Sequence, residues 1–147
     1  MGTHIEQARP GDAQDLLGLL ERNHLPPDGL LDHLATTLVA RQNGQIIGSA
    51  ALELYPDGAL LRSVAVAPEA QGSGLGHQLT DAAIRMAEAL KVPAIYLLTT
   101  TAERYFPKFG FERIARTDVP ATVQTSVEFT AACPASAAVM RKQLYAP

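Results

Sequence analysis

Only one cysteine, Cys133, stands among 147 residues. That excludes an internal disulfide framework and a multi-cysteine zinc site. No apolar stretch is long enough to span a bilayer. No basic run occurs either. Twelve Lys+Arg stand against fifteen Asp+Glu, a formal charge of −3, so the broad positive footprint of a nucleic-acid binder is missing. The opening residues, Met1-Gly2-Thr3-His4-Ile5-Glu6, lack the basic-then-apolar layout of a signal peptide. They also lack the Ser or Thr at position 6 that goes with myristoylation of Gly2. The four histidines show no H-x-x-x-H spacing, so no metal is expected. The expectation is a cytoplasmic protein with no membrane or nucleic-acid partner.

What is present is the composition of a folded chain: 47% hydrophobic and 18% charged residues. The length predicts one domain over residues 1–147, large enough to bury a core without staples. Eleven glycines and ten prolines imply many short connections. Thr3 to Arg9 reads as a strand, broken by Pro10-Gly11. Asp12 is a candidate N-cap for a helix to about Asn23, with Leu16, Leu17, Leu19 and Leu20 at helical spacing. Pro26-Pro27-Asp28-Gly29 interrupts, and Leu30 to Leu34 reads as a short helix. Thr37–Gln42, Ile46–Leu54 and Ala59–Ala67 read as strands joined by Asn43-Gly44 and Pro56-Asp57-Gly58, an antiparallel meander. A long helix carries Leu75, Leu79, Ala82, Ala83, Met86 and Leu90 on one stripe, with Asp81 and Arg85 four apart beside it. Ala94–Thr99 is a continuous apolar strand, as in a buried sheet position. Ala102–Phe109 reads as a short helix ended by Gly110. Phe111–Arg116 and Ala138–Leu144 read as strands, and Val119–Ala135 as an irregular lid. The fold class expected is α/β (α+β). Its sheet is mixed and mostly antiparallel, with one parallel strand–helix–strand crossover from Ala59 to Thr99 and helices on both faces.

Gln71-Gly72-Ser73-Gly74-Leu75-Gly76 lies between a strand and the long helix. Glycines let backbone approach a ligand closely, and the free N–H groups of a first helical turn attract phosphate. A Gly-rich connection with no ligand is the alternative that spacing leaves open. A Walker loop would end in Gly-Lys-Ser/Thr, whereas this one ends Gly74-Leu75-Gly76-His77. A dinucleotide fingerprint would follow the first strand of a parallel sheet with G-x-G-x-x-G spacing. Here Gly72, Gly74 and Gly76 are evenly spaced after a meander, so neither loop fits.

Val64-Ala65-Val66-Ala67-Pro68-Glu69-Ala70-Gln71-Gly72-Ser73-Gly74-Leu75-Gly76 resembles motif A of the GNAT superfamily of acetyl-CoA-dependent N-acetyltransferases. Phe106-Pro107-Lys108-Phe109-Gly110-Phe111-Glu112 resembles that family's Y-x-x-x-G-F-E segment. The element order agrees over nearly the whole chain. Leu61 to Val66, Thr99 to Ala102, Glu128-Phe129 and Cys133 to Ser136 further resemble the arsenic-resistance N-acetyltransferase subgroup, near phosphinothricin-type and glutamate-type amino-acid acetyltransferases. The resemblance implies acetyl-CoA as co-substrate. Val64, Ala65 and Val66 would pair with its pantetheine arm as a strand edge does. Gln71, Gly72, Ser73, Gly74, Leu75, Gly76 and His77 would hold its pyrophosphate. A strand N–H would stabilise the tetrahedral oxyanion, and a deprotonated amine would attack directly.

Phe106 departs from the resemblance: it stands where many relatives carry a proton-donating Tyr, and Phe cannot donate a proton; it is kept among the cofactor-binding candidates. Tyr105 is one residue away, about a hundred degrees round a helix, and can equally be a packed aromatic. Glu53 and Glu128 are the candidate bases, each with a solvated carboxylate as its alternative; His77 reads as a phosphate neighbour. Arg62, isolated in an apolar run, can clamp an acceptor carboxylate through a two-pronged guanidinium or face outward. Ser63, Ser126 and Phe129 are grouped with it as acceptor-pocket candidates. Cys133 reads as a small buried hydrophobe. Three functions compete. The first is an acetyltransferase of a small amino-acid-like amine, including an arsenic- or phosphorus-containing glutamate analogue. The others are a non-catalytic acyl-CoA-binding module and an acetyltransferase of protein Lys or N-termini. A homodimer is open to any of them.

Overall fold

The computed structural model describes residues 3–145. Seven strands form one sheet in the order β1-β2-β3-β4-β5-β7-β6. They are β1 His4–Gln7, β2 Thr37–Gln42, β3 Gln45–Tyr55, β4 Gly58–Val66, β5 Ala94–Thr99, β6 Glu112–Ile114 and β7 Ala138–Gln143. Two α-helices, α1 Ala13–Arg22 and α2 Leu75–Ala89, pack on β3 and β4. The meander from β2 to β4 follows its turn chemistry. Asn43 and Gly44 both take positive φ, 53° and 78°, the geometry that suits a two-residue hairpin. The β4–β5 pair is the sheet's parallel pair, closed by α2 as the crossover.

Several local expectations are corrected. Asp12 does not cap α1 with its side chain. Its carboxylate accepts the Arg9 N–H at 2.7 Å and pairs with Arg41. The Leu30 segment is 3-10 helix, Leu30–Thr36, interrupted at His33. The buried stripe of α2 runs through Leu75, Leu79, Ala83, Ile84 and Ala87, and Leu90 is exposed. Only one 3-10 turn, Phe106–Phe109, forms in the Ala102–Phe109 segment. Pro107 explains this, because it has no N–H to donate and disfavours helical backbone before it. Phe111–Arg116 shrinks to the three residues of β6. The irregular segment contains short turns at Val123–Thr125 and Glu128–Ala132.

Two features of β4 matter for function. Its pairing with β5 extends only over Ala59↔Ile95 and Leu60↔Tyr96. Its pairing with β3 slips between Ala51↔Arg62 and Ser49↔Ala65, so Ser63 and Val64 together oppose one residue. That is a β-bulge, which bends and twists a strand. Ser63 takes φ 57° to make it, and the Ser49 hydroxyl donates to the Ser63 carbonyl at 2.7 Å. β4 leaves β5 after Leu60, just ahead of the bulge, and the sheet is split from there on.

Candidate active site

The split is a cavity of about 620 Å³. Leu61 to Val64 line one wall and Leu97 to Ala102 the other; Tyr105, Phe106, Glu128 and Cys133 also contribute. Ala67 donates its N–H to Ile47 on the β3 side. By strand alternation the Val66 N–H and carbonyl face the opening, and the Gln71 amide donates to that carbonyl at 3.1 Å.

The glycine loop lies where β4 hands over to α2. Gly72 and Gly74 both take φ 84°, and a Cβ built on either meets nothing within 4 Å. The Gln78 N–H is bonded back to the Gly74 carbonyl at 3.1 Å. The N–H groups of Leu75, Gly76 and His77 precede it in the first turn and have no carbonyl one turn back. The Leu75 side chain is buried in the core, so this residue offers backbone only. Ser73 donates its hydroxyl to the Ala70 carbonyl at 2.6 Å. The exposed His77 ring rests on Phe109 at 4.7 Å. This end of the structure can hold an anionic group.

At the other end is a buried charge cluster. Glu53 lies on β3 opposite Leu60, and Arg62 lies on β4 opposite Ala51, so the two are diagonal neighbours on one face. The Arg62 side chain is 0% exposed and that of Glu53 1%. Arg62 donates Nη1 to Glu53 Oε2 at 2.9 Å and to the Asp28 carbonyl at 2.6 Å. It donates Nη2 to the Pro26 carbonyl at 2.9 Å and Nε to Ser63 Oγ at 3.0 Å. Tyr55 donates its hydroxyl to Glu53 Oε1 at 2.5 Å. Burial opposes the Glu53 carboxylate, but Ser126, Tyr55 and Arg62 together outweigh it and hold Glu53 below the usual range. Burial, then the bond to Glu53, pushes the Tyr55 phenol up to about 12.

Glu128 is different. Its Oε1 accepts from the Cys133 thiol at 3.6 Å. Its Oε2 is buried without a hydrogen-bond partner, 3.6 Å from Arg62 Nη2. Burial raises its pKa; Arg62 counters this and the Glu53 charge adds to it. Burial, then the charge of Glu128, pushes the Cys133 thiol up to about 12, which removes it as a nucleophile at neutral pH.

The structure thus relocates several expected site residues. Arg62 is neither outward-facing nor a free clamp, because four of its N–H groups are taken by the protein. Glu53 is not a solvated carboxylate. It sits behind Arg62 and is absent from the cavity lining. Ser126 is buried, accepts the Glu128 N–H at 3.1 Å and stands outside the lining. Phe129 packs instead against Val119 and Val123 in a second apolar cluster, with Arg116 over its ring at 5.2 Å. Ser63, Val64, Phe106 and Glu128 do line the cavity. Cys133 is half-buried in the cavity wall. Tyr105 is also in the wall, its hydroxyl 3.7 Å from a Cβ built on Gly76. Sequence reasoning missed Tyr55 and the Pro26 and Asp28 carbonyls. The i, i+2 spacing of Glu53 and Tyr55 on one strand face was the available signal for Tyr55.

A sheet split by a cavity, with a glycine-rich helix start next to the Tyr105 wall of that cavity, defines an acetyltransferase-type domain. The chain belongs to the acetyltransferase (GNAT) domain family, whose model matches residues 33–113. It is 36% identical over 81 residues to an amino-acid acetyltransferase of Mycobacterium tuberculosis, covering 54% of this chain and 46% of that protein. It is 30% identical over 137 residues to one of Aeromonas salmonicida, covering 82% and 31%. The chain therefore spans less than half the length of either relative. Among solved structures, N-acetylglutamate synthase of Neisseria gonorrhoeae, complexed with coenzyme A and N-acetyl-glutamate, superposes with a TM-score of 0.83 at 22% identity. That match covers 99% of this chain and 36% of that one. Rv2747 of Mycobacterium tuberculosis, in complex with CoA, gives 0.80 at 23% identity, covering 96% and 99%. These likenesses establish the fold.

Proposed function

We propose that the chain is an acetyl-CoA-dependent N-acetyltransferase whose acceptor is the amine of a small amino-acid-like molecule. The observation that carries this is the parting of β4 from β5 after Leu60↔Tyr96. It opens one cavity with the helix start of α2 near one end and a buried carboxylate at the other. Family membership and the amino-acid acetyltransferases among its relatives support the same reading.

Val64, Ala65 and Val66 offer an unpaired strand edge to the pantetheine amides. Gln71 to His77 hold the pyrophosphate at the first turn of α2. The Val64 N–H, at the bulge, donates to the developing oxyanion. An ammonium brought beside Glu128 gives up one proton to its carboxylate, and the neutral amine attacks. The C–N bond forms, the tetrahedral centre collapses, and the C–S bond breaks. Coenzyme A leaves as a thiolate, and the second proton of the attacking nitrogen passes to it, directly or relayed by the Tyr105 hydroxyl or water. Phe106 packs against Tyr105 and Phe111 and closes the wall.

The segments that resemble the arsenic-resistance subgroup make an arsenic-bearing amino acid a further acceptor to test. The assay measures free coenzyme A released from acetyl-CoA with the proteinogenic amino acids, that compound, and Lys-bearing peptides. Release with free amino acids is expected. Binding of coenzyme A without release by any amine would leave a non-catalytic acyl-CoA-binding module. Release with peptides only would make it a protein acetyltransferase.

A further inference from the structure

A dicarboxylic acceptor such as glutamate brings a side-chain charge, beyond its α-carboxylate, that calls for a cation to meet it. Arg62 is the one Lys or Arg in the cavity lining. Its guanidinium is fully buried and committed to Ser63 Oγ, Glu53 Oε2 and the Asp28 and Pro26 carbonyls. The one N–H it has left is on Nη2, which lies 3.6 Å from Glu128 Oε2 without a hydrogen bond between them. Its charge is already matched by Glu53.

Besides the His24 imidazole, what remains at this end is acidic. Glu128 Oε2 is unpartnered, on a residue only 6% exposed. The exposed Asp28 carboxylate joins it in the lining. A buried acceptor atom without a donor is completed by a ligand that brings one. An ammonium does so with charge assistance, whereas a second carboxylate would lie among like charges in a partly desolvated site.

We propose that the acceptor end is an ammonium receptor built on Glu128, and that it selects amino acids with uncharged side chains over those with acidic ones. The proposal rests on the acetyltransferase reading above and narrows its substrate class.

Isosteric pairs test it, because the α-carboxylate is common to both members and cancels. kcat/KM is measured at saturating acetyl-CoA for glutamine against glutamate and for asparagine against aspartate. The amide is expected to be preferred at least tenfold in each pair, with the ratio falling as salt is raised. Asp28→Asn keeps the backbone carbonyl that binds Arg62. It should reduce the ratio by about two- to threefold, the size expected of one partly exposed charge. Glu128→Gln should cut turnover of both members and bring their ratio towards one. Equal use of both members, preference for the acids, or a ratio unmoved by either substitution would overturn the proposal. Turnover of no amine, with coenzyme A still bound in direct titration, overturns the acetyltransferase reading itself. That result is distinct from a preference for the acids.

Discussion

Glu53 and Glu128 flank the same guanidinium, and their pKa shifts have opposite signs. Glu53 is held below its ordinary 4.5. Its ionisation therefore stabilises the fold above pH 4.5, and that contribution is lost as pH falls through its folded value. Glu128 is raised above the same 4.5 by burial, so its ionisation costs the fold stability once pH climbs past that point. Glu128→Gln should give a higher urea midpoint than wild type at pH 8, with the difference gone at pH 4. Equal midpoints at both pH values would contradict this. Arg62→Ala leaves Glu53 buried without its partner, which should cost about 3–5 kcal/mol, read as a lower urea midpoint. Arg62→Lys should recover little of it, because one ammonium cannot reach the Ser63 hydroxyl, Glu53 and two carbonyls together. None of this could be seen from Arg62 as an isolated charge in an apolar run. It follows from pairing across β3 and β4. The two-residue turn at Pro56-Asp57 fixes that register, and the sequence does hold the turn.

The elements themselves were mostly legible. Asn43-Gly44 marked the hairpin, and the apolar run Ala94–Thr99 is a strand, buried from Ala94 to Leu97. The stripe expected on α2 lies slightly round from its buried face: Ala82 and Met86 are half-buried, while Ile84 and Ala87 are buried. Two elements escaped for local reasons. Pro107 reduces a helix to one turn, and Ser63 adopts a left-handed conformation that nothing in its residue type announces. Gly72 and Gly74 were legible as glycines, and their φ of 84° shows why glycine stands there. Gly74→Val should cost about 1–2 kcal/mol through backbone strain alone, since its Cβ meets no protein atom. Coenzyme A affinity, measured by titration calorimetry, should nevertheless fall by about tenfold or more, because the added branch occupies the anion's place. An unchanged affinity in the folded variant would remove the loop from the cofactor site.

At the scale of the whole molecule the sheet is two sheets joined at a corner. β1 to β4 form one part and β5, β7 and β6 the other, held edge to edge by two residue pairs. A cofactor lying in the gap would bond the free edge of β4. In hydrogen–deuterium exchange, coenzyme A should slow the amides of Val64 to Val66 more than those of β2, which is already paired on both sides. Uniform slowing, or none in β4, would place the ligand elsewhere.

The strand order also dictates a sequence of events during synthesis. β7 lies between β5 and β6, and β6 has β7 as its neighbour in the sheet. While the chain is being made, β1 to β4 can pair as soon as each follows the last, since every partner is already outside the ribosome. β6 must wait, unpaired, until residues 138–143 have emerged and slipped in between. Chains of this kind grow at about 5–20 residues per second, so the wait is of the order of a second or more. Among the described strands β7 is therefore the last to emerge, and a nascent chain stalled before it would carry the glycine loop while the β5 edge of the far wall still lacked its partner.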